Sequence, residues 1–153
     1  MNLRIGVLSI AHVHAVNYAA ILKSLPGTEL VGFSEEDRNG GQQFAEKHEL
    51  RRFSHPQDLI TEGLDGVVIC SENAYHRELV EMAAEAKCHV LCEKPIATDL
   101  GAARSILAAC EKNGVRFMTA FPMRFAPSTQ AVRKMILSNE FGSVLGVNGV
   151  NHS

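Results

Sequence analysis

No apolar run in this 153-residue sequence approaches the 18 or more residues of a membrane-spanning helix, which argues against a helical span. Basic charge is not in excess either. Lysine and arginine number 15 against 17 acidic residues, a net charge of −2, so the chain has little with which to neutralise a phosphate backbone and nucleic-acid binding is not expected. The four cysteines, Cys70, Cys88, Cys92 and Cys110, form no C-x-x-C pair. Each lies in or beside an apolar stretch, as reduced, buried cytoplasmic thiols do. No small-x-small cleavage site follows the short run Ile5–Ala11, which ends in His12-Val13-His14 and reads as a strand, not a leader. Repeats, linkers and low-complexity stretches are missing, and no metal centre is assigned. What is present is 46% apolar and 21% charged residues, enough apolar mass to bury a core and to exclude a disordered tail.

Short apolar runs alternate with amphipathic ones. Leu3–Ile10, Glu29–Ser34, Arg51–Phe53, Gly66–Cys70, Cys88–Cys92 and Val115–Ala120 read as strands, the longer ones apolar enough to be covered on both faces. Between them, helix faces are predicted from Tyr18, Ile21, Leu22 and Leu25, from Tyr75, Leu79, Met82, Ala83 and Ala86 with Asn73 as N-cap, and from Leu100, Ala103, Leu107 and Cys110. Weaker helical segments are read at 41–48 and 56–62. Strands alternating with helices imply a Rossmann-type doubly wound parallel sheet, an α/β fold with helices on both faces. A last helix starts near Pro127, with Val132, Met135 and Ile136 on one face; Phe141-Gly142 breaks it, and Val144–Val150 begins a further strand. That strand has no following partner. The expected division is a dinucleotide-binding domain over 1–120, then a connecting helix and the first strand of a truncated second domain over 121–153. The segment 144–153 is expected to be disordered or to pair with another chain's edge.

Ligands of such sheets sit beyond the carboxyl ends of the strands, so the first strand–helix turn is the place to look. A dinucleotide fold wants G-x-G-x-x-G there, for a tight turn, close approach of the pyrophosphate and close helix packing. Here Ser9, Ala11 and His14 stand at the three glycine positions, with Ile10 and His12 between. Ser9 and Ala11 are small, and the helix start still offers N–H groups and a positive dipole end. His12 and His14 either donate to a phosphate oxygen or cap the helix. Glu35 lies 21 residues beyond His14, near the spacing at which an acidic residue takes the adenosine ribose hydroxyls. A carboxylate there favours NAD over NADP, because it repels a 2′-phosphate; the other reading is a solvated acidic loop with Glu36 and Asp37.

The most specific stretch is His89-Val90-Leu91-Cys92-Glu93-Lys94-Pro95, a strand running into Glu-Lys-Pro on the ligand side. With the first strand and turn, Leu30–Glu35, Val68–Ser71, Asn73, His76, Ile96-Ala97, Phe121–Pro127 and Phe141–Val144, it makes nearly the whole chain resemble the N-terminal domain of the Gfo/Idh/MocA oxidoreductases (glucose–fructose oxidoreductase, inositol dehydrogenase and relatives). The resemblance implies NAD(P)-dependent oxidation or reduction of a sugar, cyclitol or related polyol. It also implies a homo-oligomer at full length, and a second domain that carries the substrate pocket. By resemblance Lys94 is the catalytic residue, lying near the nicotinamide and the reacting hydroxyl. Glu93 touches the nicotinamide side or orients Lys94, and Pro95 fixes the turn, where a cis bond would fit. Ser71 and Asn73 belong to a turn against the cofactor in which Glu72 replaces the family's proline. His76 is a helix cap or a cofactor contact. Arg124 binds substrate or the cofactor amide, or pairs with an acidic residue. The alternative function is a non-catalytic, dinucleotide-responsive regulator of the same fold.

Overall fold

A computed structural model describes residues 2–140 and 142–150. The chain divides into two compact units, 1–120 and 121–153. In the first, β1 (Leu3–Leu8), α1 (Ala15–Ser24), β2 (Thr28–Ser34), α2 (Arg38–His48), β3 (Arg52–Phe53), α3 (Pro56–Ile60), β4 (Gly66–Ile69), α4 (His76–Glu85), β5 (His89–Cys92), α5 (Leu100–Asn113) and β6 (Phe117–Thr119) follow one another. All strand pairs are parallel, and the sheet order is β3-β2-β1-β4-β5-β6. The winding therefore reverses between β1 and β4, which opens a crevice at their carboxyl ends.

Side chains alternate across the sheet and feed two cores. On one face Leu8, Val67, Ile69, Val90 and Cys92 pack with Leu59, Leu79, Val80, Ala83 and Ile106 from α3, α4 and α5. On the other, Val7, Phe33, Val68 and Cys70 pack with Ala15, Tyr18, Leu22 and Phe44 from α1 and α2. Complete burial of a side chain such as Phe33 contributes about 2–3 kcal/mol. The four cysteines are free and buried, and burial pushes their thiols up, that of Cys92 to about 12.

Two helix faces and one cap differ from the expectation. In α1 the buried residues are Ala15 and Ala19, with Tyr18 and Leu22 beside them, while Ile21 and Leu25 are exposed. In α5 the buried residues are Ala102, Ile106 and Cys110, and Leu100 and Leu107 face outward. Alanines facing the sheet let the helices approach closely, so the larger residues are left outside. The third case is α4, where Asn73 does not cap: it opens a 3-10 turn, Asn73–Tyr75, and the cap position falls on Tyr75. α2 begins at Arg38, earlier than expected, because Asp37 accepts from the N–H groups of Asn39 and Gly40. Asp99 caps α5 through the Ala102 N–H, and Gly114 ends it at φ +68.

Gly32 in β2 has φ +158, and a Cβ there would fall on the Arg51 carbonyl oxygen. Gly32→Ala is expected to cost about 2–4 kcal/mol by breaking the seam between β2 and β3. Urea unfolding would measure it; an unchanged midpoint would show that the seam tolerates a methyl group.

The second unit contains a 3-10 turn, Pro122–Phe125, and α6 (Pro127–Leu137). None of its described residues is buried, and Val132, Ile136 and Leu137 lie open on α6. The strand expected at Val144–Val150 is absent: these residues are exposed and carry no regular structure. Phe141 and residues 151–153 lie outside the described residues.

Candidate functional site

The opening turn runs from Ser9 to His14 between β1 and α1. Ser9 adopts φ +63, the left-handed conformation usually supplied by glycine. The Ser9 N–H donates to the Ser34 carbonyl at 3.0 Å, and its hydroxyl donates to Glu35 Oε2 at 3.3 Å. Glu35 Oε2 also accepts from the Ile10 N–H at 3.1 Å, and Oε1 accepts from Asp37 at 3.1 Å. The Ala11 N–H goes to Ser9 Oγ, and the His12 N–H to the Cys70 carbonyl. The N–H groups of the turn are thus largely engaged inside the chain. Among the described residues those of Val13, Val16 and Asn17 remain for an anion at the start of α1. Glu35 is therefore not a solvated loop carboxylate; it joins the end of β2 to the opening turn.

The histidines do not cap α1 in the expected way. His14 occupies the cap position, but its side chain bonds no helix N–H. Its Nδ1 lies 2.7 Å from Glu93 Oε1. His12 Nδ1 accepts the His14 N–H at 3.2 Å, and the two rings meet edge-on with centroids 4.4 Å apart.

Glu93, at the end of β5, is the centre of this arrangement. It is 0% exposed, yet three donors converge on it. His14 and the Tyr18 hydroxyl (3.0 Å) donate to Oε1, and the Lys94 N–H (3.1 Å) donates to Oε2. Burial alone would raise its carboxyl; these hydrogen bonds, together with the charge of His14, outweigh that and hold it below the usual carboxylate value. Tyr18 is driven upward by burial and by the Glu93 charge, so it stays a phenol donor. His12 is lowered, first by burial and then by the positive charges of His14, Lys94 and His76, against the pull of Glu93. The burial of Glu93 and its bond to the Lys94 N–H suit one of its expected roles, orienting Lys94. Lys94 itself is exposed, and among the described residues its ammonium has no hydrogen bond or ion pair. The Lys94–Pro95 peptide is cis.

A cavity of about 470 Å³ opens at the carboxyl ends of β1, β2 and β4, and Ser9, Glu35, Ser71 and Glu72 line it. Ser34, His55, Gln57, Tyr75 and Met82 also line it and escaped the sequence reading. Tyr75, Leu79 and Met82 carry the helical stripe of a core face, and Tyr18, one helical turn beyond His14, carries that of a packing residue, so neither pattern by itself marks a site. Ser71 is buried with its hydroxyl on the Glu72 carbonyl, and Asn73 is exposed. His76 does not cap α4, whose cap position is Tyr75: it is fully buried, its Nδ1 donates to the Pro95 carbonyl at 2.9 Å, and Nε2 faces the Ser71 carbonyl at 3.4 Å. It thereby ties the end of β4 to the Glu-Lys-Pro turn. Arg124 is exposed in the second unit, where its guanidinium lies 5.0 Å from the Phe121 ring centroid.

A doubly wound parallel sheet, with an acidic residue ending β2 and a positioned lysine ending β5, defines a dinucleotide-binding α/β domain. The chain belongs to the Gfo/Idh/MocA family, described as an oxidoreductase family with an NAD-binding Rossmann fold, which matches residues 3–121. It is 34% identical over 142 residues to D-apiose dehydrogenase of Paraburkholderia graminis, covering 90% of this chain and 36% of that protein. It is 29% identical over 143 residues to glucose-6-phosphate 3-dehydrogenase of Bacillus subtilis, covering 94% and 39%. Among solved structures, an oxidoreductase of Agrobacterium radiobacter in complex with NAD+, L-tartaric acid and magnesium superposes with a TM-score of 0.86 at 26% identity, covering 94% of this chain and 42% of that one. The chain thus spans about two-fifths of the length of these relatives. No helix among the described residues is long and apolar enough to cross a membrane.

Proposed function

We propose that this chain is the cofactor-binding portion of an NAD-dependent dehydrogenase acting on a sugar, cyclitol or related polyol. The observation that carries the reading is a charge held in place and left unused: a fully buried carboxylate fixes the Lys94 backbone while the Lys94 ammonium stays open. A regulator that only senses a dinucleotide gives that ammonium no task. The residues also fit the cofactor. The cavity lies at the reversal point of the sheet, Glu35 stands at its mouth, and Ser9 takes up the left-handed turn without glycine. The free N–H groups of Val13, Val16 and Asn17 at the start of α1 would hold the phosphates over the turn formed by Ser9, Ile10 and Ala11, Glu35 would face the adenosine ribose, and Ser71 and Asn73 would form the turn beside it. When bound, the nicotinamide ring accepts the hydride. Lys94 stabilises the oxyanion that develops on the reacting hydroxyl and passes on its proton. Residues 121–153 lead into the substrate-binding portion, to which Arg124 contributes, and the whole protein is a cytoplasmic homo-oligomer.

Titration of the chain with NADH and NADPH, followed by nicotinamide fluorescence, tests the cofactor half of this reading. Glu35→Ala is expected to weaken NADH by about tenfold or more, since it removes charged hydrogen bonds to the ribose, and not to weaken NADPH, whose 2′-phosphate the carboxylate repels. Unchanged NADH affinity would remove Glu35 from the site. Equal loss of both cofactors would mark a collapsed turn instead.

A further inference from the structure

The opening turn sets two imidazoles that the proposed reaction does not require beside the Glu93 carboxylate. His12, His14 and Glu93 each offer a ligand atom, and these atoms all lie within 4.8 Å of one another. Glu93 supplies a carboxylate from the interior, whereas both imidazoles are half-exposed and reachable from solvent. The frame around them is tied down. The His12 N–H is bound to the Cys70 carbonyl at 2.8 Å, and the other Glu93 oxygen takes the Lys94 N–H at 3.1 Å.

We propose that His12, His14 and Glu93 bind one divalent transition-metal ion, best fitted by zinc, with water as the fourth ligand. Two imidazoles and a carboxylate suit zinc and its first-row neighbours; magnesium and calcium prefer an all-oxygen shell. The ion takes the place of the proton between His14 Nδ1 and Glu93 Oε1, now 2.7 Å apart, and that proton moves to His14 Nε2. His12 ligates through a ring nitrogen and gives up the bond its Nδ1 takes from the His14 N–H. This holds for either nitrogen, because ligation through Nε2 leaves Nδ1 protonated. Ligands about 2.0–2.2 Å from a tetrahedral ion stand about 3.3–3.5 Å apart. The widest gap must therefore close by about 1.5 Å, a movement that rotation of a half-exposed imidazole supplies. The four cysteines are buried with raised thiols and do not compete in the folded chain.

The site does not depend on the dehydrogenase reading, because its test measures metal and not turnover. The untagged, metal-free chain would be titrated with zinc against a chromophoric chelator. One equivalent is expected to bind. His12→Ala and His14→Gln should each weaken binding by at least tenfold, and His89→Ala should leave it unchanged. Cobalt(II) should give the intense visible bands of a tetrahedral site, lost in His12→Ala. Thermal melts would confirm that each variant is folded; His12, on the turn surface, is the safer of the two. A folded His12→Ala chain that binds zinc as tightly as the parent overturns the proposal, as does failure of the parent to bind zinc.

Discussion

Under the proposed function, replacing Lys94 with alanine in the full-length protein is expected to lower turnover about a hundred- to ten-thousandfold while leaving NAD affinity within about twofold. The split follows from where the residue stands. The adenosine and phosphate contacts proposed for Ser9–Ala11 and Glu35 lie at the ends of β1 and β2, whereas Lys94 ends β5. Loss of the ammonium removes charge stabilisation from the reacting oxygen and leaves the cofactor's other contacts standing. The backbone N–H of Lys94 still reaches Glu93 in the alanine variant, so the turn should keep its shape. Hydride transfer to NAD+, followed by absorbance, and cofactor titration together provide the check. Normal turnover in Lys94→Ala would defeat the catalytic assignment; equal loss of turnover and cofactor affinity would make Lys94 a binding residue.

Glu93→Ala should be the most destabilising single change at the site, by about 3–5 kcal/mol in urea unfolding. The alanine leaves the Tyr18 hydroxyl, the His14 ring and the Lys94 N–H facing a buried gap with no acceptor. Glu93→Gln keeps the volume and one acceptor and should cost less. The same group sets a pH dependence. Its folded value is lowered from 4.5, so its stabilisation is complete above 4.5 and is lost as pH falls through the lower folded value. In Glu93→Gln that part of the acid slope should disappear. A wild-type slope in the variant would show that other carboxylates dominate acid unfolding.

The alternation of strands and helices, the parallel sheet and the Glu-Lys-Pro turn were all legible from local pattern, because each is encoded over a few neighbouring residues. What escaped was set by tertiary packing. The α1 and α5 faces turned on alanine, whose small size brings the helices close but carries a weak periodic signal. His14 and Glu93 are 79 positions apart, and no local rule pairs them. His76 looked like a helix start because it is one; its bond to Pro95 comes from the adjacency of β4 and β5. Spacing singles out Glu35 at the end of β2, but its bond to the Ile10 N–H, 25 positions away, has no local signal.

Because one carboxylate oxygen of Glu93 serves His14 and Tyr18 and the other serves the Lys94 backbone, the opening loop and the lysine cannot be exchanged independently. Grafting a glycine-rich loop in place of 9–14 would remove the histidine partner and slacken the lysine two strands away. A working chimera has to transplant both segments together, and a double-mutant cycle between His14 and Lys94 should register that dependence as non-additive losses.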